Sequence, residues 1–322
     1  MHRFARCSGV SASRPALLTT PHLHPSSLSC RTMATASSTL GPAPWRKSFL
    51  EHLKAMASIE FTLGTVRKIA SKNGTVYVPR ARTCAFRGMF AELAAHPDNT
   101  AELNPDLYES DLLTFTTDRR MDKAAELFGV ETDGTYGDAD DERVKGTGGG
   151  APVEAVFWVK EKATQWRFRG RAYVLAPDVD TSEEGKRVVA TLTERMRRKN
   201  SDSDSGSSGK EWGFSREITA HFGNTSPLMR GSFRNPPPGV PVAVPVDDGR
   251  LKLGQELTDL NDALARSNFR LVVIVPEELD CVDLNDPARS LRWQYTFVGN
   301  KSEPTAPGGV IEDGWEKVEV WP

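Results

Sequence analysis

An antiparallel β-barrel with helical decoration is the fold class this sequence predicts, and three hairpin patterns predict it. In the first, Asn73-Gly74 separates the β-rich runs 61–66 and 76–78; both residue types tolerate positive φ, so the pair is a strong hairpin signal. In the second, two long strand patterns, 151–159 and 165–175, follow one another across a short gap. In the third, 293–298 and 315–321 form the closing pair.

The elements follow in order. A helix opens at Pro44-Trp45-Arg46, where Phe49, Leu53 and Met56 recur at helical spacing. After the first hairpin, 78–87 reads as a strand carrying cations. Residues 112–117 read as a second strand ending in hydroxyls, and 118–123 open a helix. Residues 129–150 are acidic and glycine-rich, the composition of a flexible insert. Their Gly148-Gly149-Gly150 precedes a strand instead of opening a helix, which rejects a dinucleotide-binding motif. In the strand 165–175, Trp166, Phe168, Gly170, Ala172 and Val174 share the face a barrel core needs; Gln165, Arg167, Arg169 and Arg171 share the other. Arg169 and Arg171 are expected to be solvated. A helix over 182–198 leads to a second flexible insert, 199–210, made of Ser, Asp and Gly. Residues 212–222 read as helical and 226–239 as crossing the surface. Leu257, Leu260 and Leu264 mark a further helix before the apolar strand 269–275.

A chain of 322 residues can bury one large core or two modest ones. Lys and Arg total 41 against 43 Asp and Glu, so no global field draws it to nucleic acid or to an anionic membrane. No apolar run reaches a membrane span. Cys7, Cys30, Cys84 and Cys281 are too scattered for a disulfide framework or a zinc motif, and a reducing intracellular compartment is expected. The first fifty residues hold no Asp or Glu but do hold Arg3, Arg6, Arg14 and Arg31. That composition suits either a mitochondrial transit peptide or an extension upstream of a start at Met33; Pro15, Pro21 and Pro25 spoil an amphipathic helix there. Residues 1–42 are therefore placed outside the fold and 43–322 inside it, and the location is expected to be cytoplasmic or mitochondrial.

Protein-only catalysis finds little support. The only closely spaced histidines are His22 and His24 in the N-terminal extension, so a metal site is not expected. No Gly-x-Ser-x-Gly elbow occurs, Cys84 reads as a small apolar residue, and His221 as a capping or packing residue. Gly206-Ser207-Ser208-Gly209-Lys210 lacks the P-loop spacing.

The chemistry-bearing stretch is 78–123. Arg82 and Arg87 on one strand, Thr116 and Thr117 at the end of the next, and Lys123 at a helix start form a plausible phosphate cradle. Guanidinium and ammonium groups supply charge-assisted donors, hydroxyls add more, and a helix start adds oriented N–H groups. With Gln165 on a later strand, Arg292-Trp293 near the C-terminus and a terminal strand between Trp315 and Trp321, this pattern resembles the pyridoxamine 5'-phosphate oxidase FMN-binding split barrels, in particular their fungal and cyanobacterial oxidase-like branch. The resemblance covers roughly 43–322 apart from the inserts.

It implies an FMN-binding split β-barrel, homodimeric, with FMN at the subunit interface and hydride passing to or from the flavin. It further implies that Arg82 and Lys123 bind the FMN phosphate and that Thr116 and Thr117 lie near the ribityl chain or ring edge. Gln165 would hydrogen-bond the isoalloxazine and Arg292 face its pyrimidine side, where a cation stabilises the reduced anion. Three departures stand out. Asp122 occupies the place of an arginine next to the lysine, and Arg120, half a turn earlier, is the candidate to replace that charge. Arg87 stands where the oxidases carry a substrate-binding lysine. The substrate-gripping Arg-x-His pair is absent from 288–292. These changes weaken the vitamin B6 reading more than the flavin reading and leave the substrate open.

Overall fold

The computed structural model describes residues 40–134, 142–199 and 211–322. Most of the expected N-terminal extension, residues 135–141 of the first insert and residues 200–210 of the second lie outside the described residues.

Helix α1 (Arg46–Leu53) buries Phe49 and Leu53, as their spacing predicts. The hairpin of β1 (Glu60–Ser71) and β2 (Gly74–Ala85) follows, in unbroken register from Glu60 opposite Ala85 to Ser71 opposite Gly74. Of the Asn-Gly pair only Gly74 takes a positive φ, 111°. The chain continues through β3 (Tyr108–Ser110), β4 (Leu113–Asp118), α2 (Lys123–Phe128), β5 (Glu131–Thr132), β6 (Gly148–Val159) and β7 (Thr164–Leu175). After α3 (Glu183–Thr193), β8 (Met196–Arg198), α4 (Phe214–Gly223), α5 (Pro227–Ser232) and α6 (Ala263–Asn268) come β9 (Phe269–Asp283), β10 (Leu291–Phe297), β11 (Val310–Glu312) and β12 (Trp315–Val320). The main sheet runs β11-β12-β10-β9-β7-β6-β1-β2, with β4 also on β9 and β5 on β1; β3 pairs with β8. Apart from the short parallel β1–β5 contact its pairings are antiparallel. This is the mainly antiparallel class the sequence predicts.

Alternation decides which way each residue points. The inward row of β7, Trp166 and Phe168, meets Phe157 and Ala155 of β6 and Cys281 and Leu279 of β9. Those residues join Phe49, Phe61, Leu63 and Phe115 in one buried core. A second core of Phe90, Leu192, Ile218 and Phe222 packs on the other side of β4 and β9. Leu271 and Val273 enter this second core, and Val272 and Ile274 the first, so the first half of β9 is buried on both faces. That is why 269–275 reads as a continuous apolar run.

Several boundaries differ from the sequence expectation. The helix expected over 182–198 ends at Thr193, because Met196–Arg198 pairs with Tyr108–Ser110 instead. Residues 227–232, expected only to cross the surface, are helical: Ser226 accepts from the Met229 N–H and Pro227 sits at the first turn, where its missing N–H costs nothing. Leu257 and Leu260 precede α6, whose N-cap Asp262 accepts from Ala265 N–H. The glycine run 148–150 belongs to β6, with a bulge between Gly149 and Ala151, and Glu131–Thr132 adds β5. Among the described residues no helix is long and apolar enough to cross a membrane.

Candidate functional site

Strand register gathers the first half of the site. Leu63 and Thr65 face inward on β1, and Arg82 and Arg80 lie opposite them on β2. Helix α2 lies against β1 and presents Lys123 and Glu126 to the same place. Arg82 donates to the Thr65 hydroxyl and to the buried Glu126 carboxylate, and Thr65 itself donates to Glu126. Arg80 stands 3.9 Å from the same carboxylate.

Lys123 donates to Thr117 Oγ1 at 3.2 Å and approaches Met121 Sδ at 2.8 Å, with no carboxylate in ion-pair range among the described residues. Burial, reinforced by the Arg82 charge, pushes its pKa below the ordinary lysine value. Arg87 is more isolated. Its backbone N–H pairs with Thr114 O, but its guanidinium has no partner among the described residues, and its Nε is buried. Burial lowers its pKa as well. Lys123, a half-buried cation beside a hydroxyl and with no ion-paired carboxylate, fits an anion such as a phosphate. The FMN phosphate therefore fits the residues present, with Lys123 and Thr117 as the groups to hold it.

Other expected members take different places. Thr116 lies on the opposite face of β4 from Thr117, across from Leu271 of the second core, so only one hydroxyl of the pair joins Lys123. Arg120 does not replace the missing cation. Its guanidinium is buried and held by Asp118 at 2.7 Å and by the carbonyls of Phe233 and Asn235. Asp122, which occupies the place of that cation, is drawn to Arg67 at 3.1 Å and Arg80 at 3.8 Å. Helix α2 has six residues and no side-chain cap, so its start adds little to the cradle.

Gln165 and Arg292 form a second group. Gln165 lies opposite Val282 on β9, and Val282 opposite Arg292 on β10, so both side chains leave the outer face of the sheet. Two strand spacings separate them, roughly 10 Å. One register step along the same face, Asp280 binds Arg292 at 2.7 Å, Arg167 at 2.8 Å and Gln294 at 3.2 Å. Burial opposes the charge on Asp280, but these partners outweigh it and hold its pKa below the usual value. The hydrogen bond to Asp280 in turn raises Arg292. A polar hollow of about 160 Å³ lies alongside; ligand pockets usually enclose roughly 300–1,000 Å³.

Cys84 shares the inward face of β2 with Arg82, and burial raises its thiol pKa despite Lys123 and Arg82 nearby, so it offers no thiolate. His221 is buried 3.4 Å from Glu217, a packing position as expected. No metal-binding group of His, Cys, Asp and Glu occurs among the described residues. Sequence reasoning missed Glu126 and Thr65. The signals available were the i, i+3 spacing of Lys123 and Glu126 and the inward phase of Thr65 on its strand.

No curated protein matches the chain. Among solved structures, a pyridoxamine 5'-phosphate oxidase-related, FMN binding protein from Nostoc punctiforme PCC 73102 is similar at 17% identity and a TM-score of 0.50, over 88% of this chain and 100% of that one. This likeness speaks for the fold alone. PhzG from Burkholderia lata 383, in complex with tetrahydrophenazine-1-carboxylic acid, aligns over 86% of this chain and 90% of its own at 14% identity, with a TM-score of only 0.36. The family model for the pyridoxamine 5'-phosphate oxidase FMN-binding domain matches residues 42–176. That stretch carries Arg82, Arg87, Thr117, Lys123 and Gln165, and over it the chain is similar to this FMN-binding domain.

Proposed function

We propose that this protein binds FMN and works as a homodimeric, flavin-dependent oxidoreductase. The observation that carries the reading is Lys123, a half-buried cation beside the Thr117 hydroxyl with no carboxylate in ion-pair range among the described residues. A phosphate there would supply the missing counter-charge. Bound flavin supplies the two-electron chemistry; this chain's residues bind and orient it. Lys123 and Thr117 hold the phosphate end, and Gln165 and Arg292 contact the ring. The two groups leave opposite faces of one sheet, so a flavin that touches both uses the outer face of a second copy. Exposed Val66 and Trp158 on that outer face support its burial against another chain.

Pyridoxamine 5'-phosphate is disfavoured as the substrate, because Arg87 replaces a tunable amine and the Arg-x-His pair is missing. Aerobic incubation with it should give no hydrogen peroxide; peroxide together with pyridoxal 5'-phosphate would reinstate the vitamin B6 role. The cofactor is tested by the visible absorbance of the purified protein and chromatography of the released chromophore. Flavin bands and FMN are expected. A colourless protein that also fails to take up added FMN would end the proposal. Lys123→Ala should weaken FMN by about 1.5–3 kcal/mol, the cost of a charge-assisted hydrogen bond, and leave riboflavin affinity unchanged in calorimetric titrations.

A further inference from the structure

Glu126 is the charged group at the cradle that the cofactor reading leaves unexplained. Its side chain has no exposure, and its Oε2 accepts from Thr65 and Arg82. Its Oε1 is buried without a hydrogen bond, and Arg80 stands 3.9 Å away. A carboxylate removed from water persists only when a cation compensates it. Here the compensating cation is Arg82, a residue the family resemblance assigns to the phosphate.

We infer that Glu126 is the resident counter-ion of Arg82 and limits how strongly this site prefers a phosphorylated flavin over an unphosphorylated one. The inference rests on the FMN reading. The buried acid neutralises Arg82, so the net attraction for a phosphate comes from Lys123, which has no such partner. The acid also repels a dianion bound near Lys123, one helical turn away on the same side of α2. The amide of Glu126→Gln keeps an acceptor for Thr65 and Arg82 but removes this repulsion.

The test is a titration of FMN and of riboflavin into wild-type protein, E126Q and the double variant R82M/E126M. In E126Q the affinity for FMN should rise about tenfold or more, the scale of one unscreened charge several ångströms from a dianion. Riboflavin affinity should hold. An unchanged or reduced FMN-to-riboflavin ratio in E126Q overturns the inference. The double variant removes both charges and keeps the region apolar, so it tests the idea even if E126Q does not fold. Its FMN-to-riboflavin ratio should stay within about threefold of wild type. A collapse of the ratio there means that Arg82 grips the phosphate itself, which also overturns it. If neither flavin binds any of the three proteins, the cofactor reading falls first and takes this inference with it.

Discussion

Asp111 joins parts of the chain that are far apart in sequence. It accepts from the Ala43 N–H at 3.1 Å, from Arg46 at 3.3 Å and from Arg197 at 3.0 Å, while Arg46 also binds Glu92 at 2.7 Å. Asp111 and Arg197 are both buried. Removing one member of such a pair leaves an uncompensated charge, so Asp111→Ala should cost about 3–5 kcal/mol in urea unfolding. His52 gives a residue-scale pH prediction. Burial, opposed by Asp283, lowers its pKa from 6.5, and its Nδ1 accepts from Trp166 Nε1 at 3.2 Å. The folded state therefore binds fewer protons than the unfolded chain just below that value. Stability should fall as pH drops below 6.5. In His52→Gln that component of the melting-temperature profile should flatten; an identical profile would refute the assignment.

At the scale of elements, the β7–β9 seam depends on one glycine. A Cβ on Gly170 would collide with the carbonyl oxygen of Val275 at the bulge between Arg169 and Gly170, whereas one on Gly249 would meet nothing within 4 Å. Gly170→Ala should cost about 1–3 kcal/mol in thermal unfolding, while Gly249→Ala should be near neutral. The seam's strands were legible in the sequence, because alternation in 165–175 sorts Trp166 and Phe168 from Arg169 and Arg171 without outside help. Arg169 and Arg171 are indeed exposed, paired with Glu278 and Glu277. Helices were less legible. Met196–Arg198 continues a helical pattern but is captured by a partner strand distant in sequence, and α5 hides in a Pro- and Ser-rich stretch that composition alone does not mark as helix. The site behaved similarly. Lys123 and Thr117 could be picked from residue type and spacing, whereas the Arg82–Glu126 pairing depends on the fold bringing β2 and α2 together. Thr116 and Thr117 part for an elementary reason: neighbours on a strand cannot share a face.

At the scale of the molecule, the outer sheet face carries Gln165, Arg292 and exposed Trp158, while the cradle lies on the inner face. If a second copy covers the outer face, light scattering should give twice the chain mass. Trp158→Glu should then shift the protein to monomer and weaken FMN binding while its circular dichroism stays unchanged. A monomeric wild-type protein that binds FMN at full affinity would contradict this arrangement.

The alternate side chains of strand β9 fill two separate cores, so the strand is a shared wall and not the border of either. Neither core can melt without stripping one side of that wall from the other. The described fold should therefore lose its structure in a single cooperative step, and calorimetry should record one endotherm in which van't Hoff and measured enthalpies agree. A ligand bound at the cradle would then raise the temperature at which Trp212, packed against the far core, changes its fluorescence.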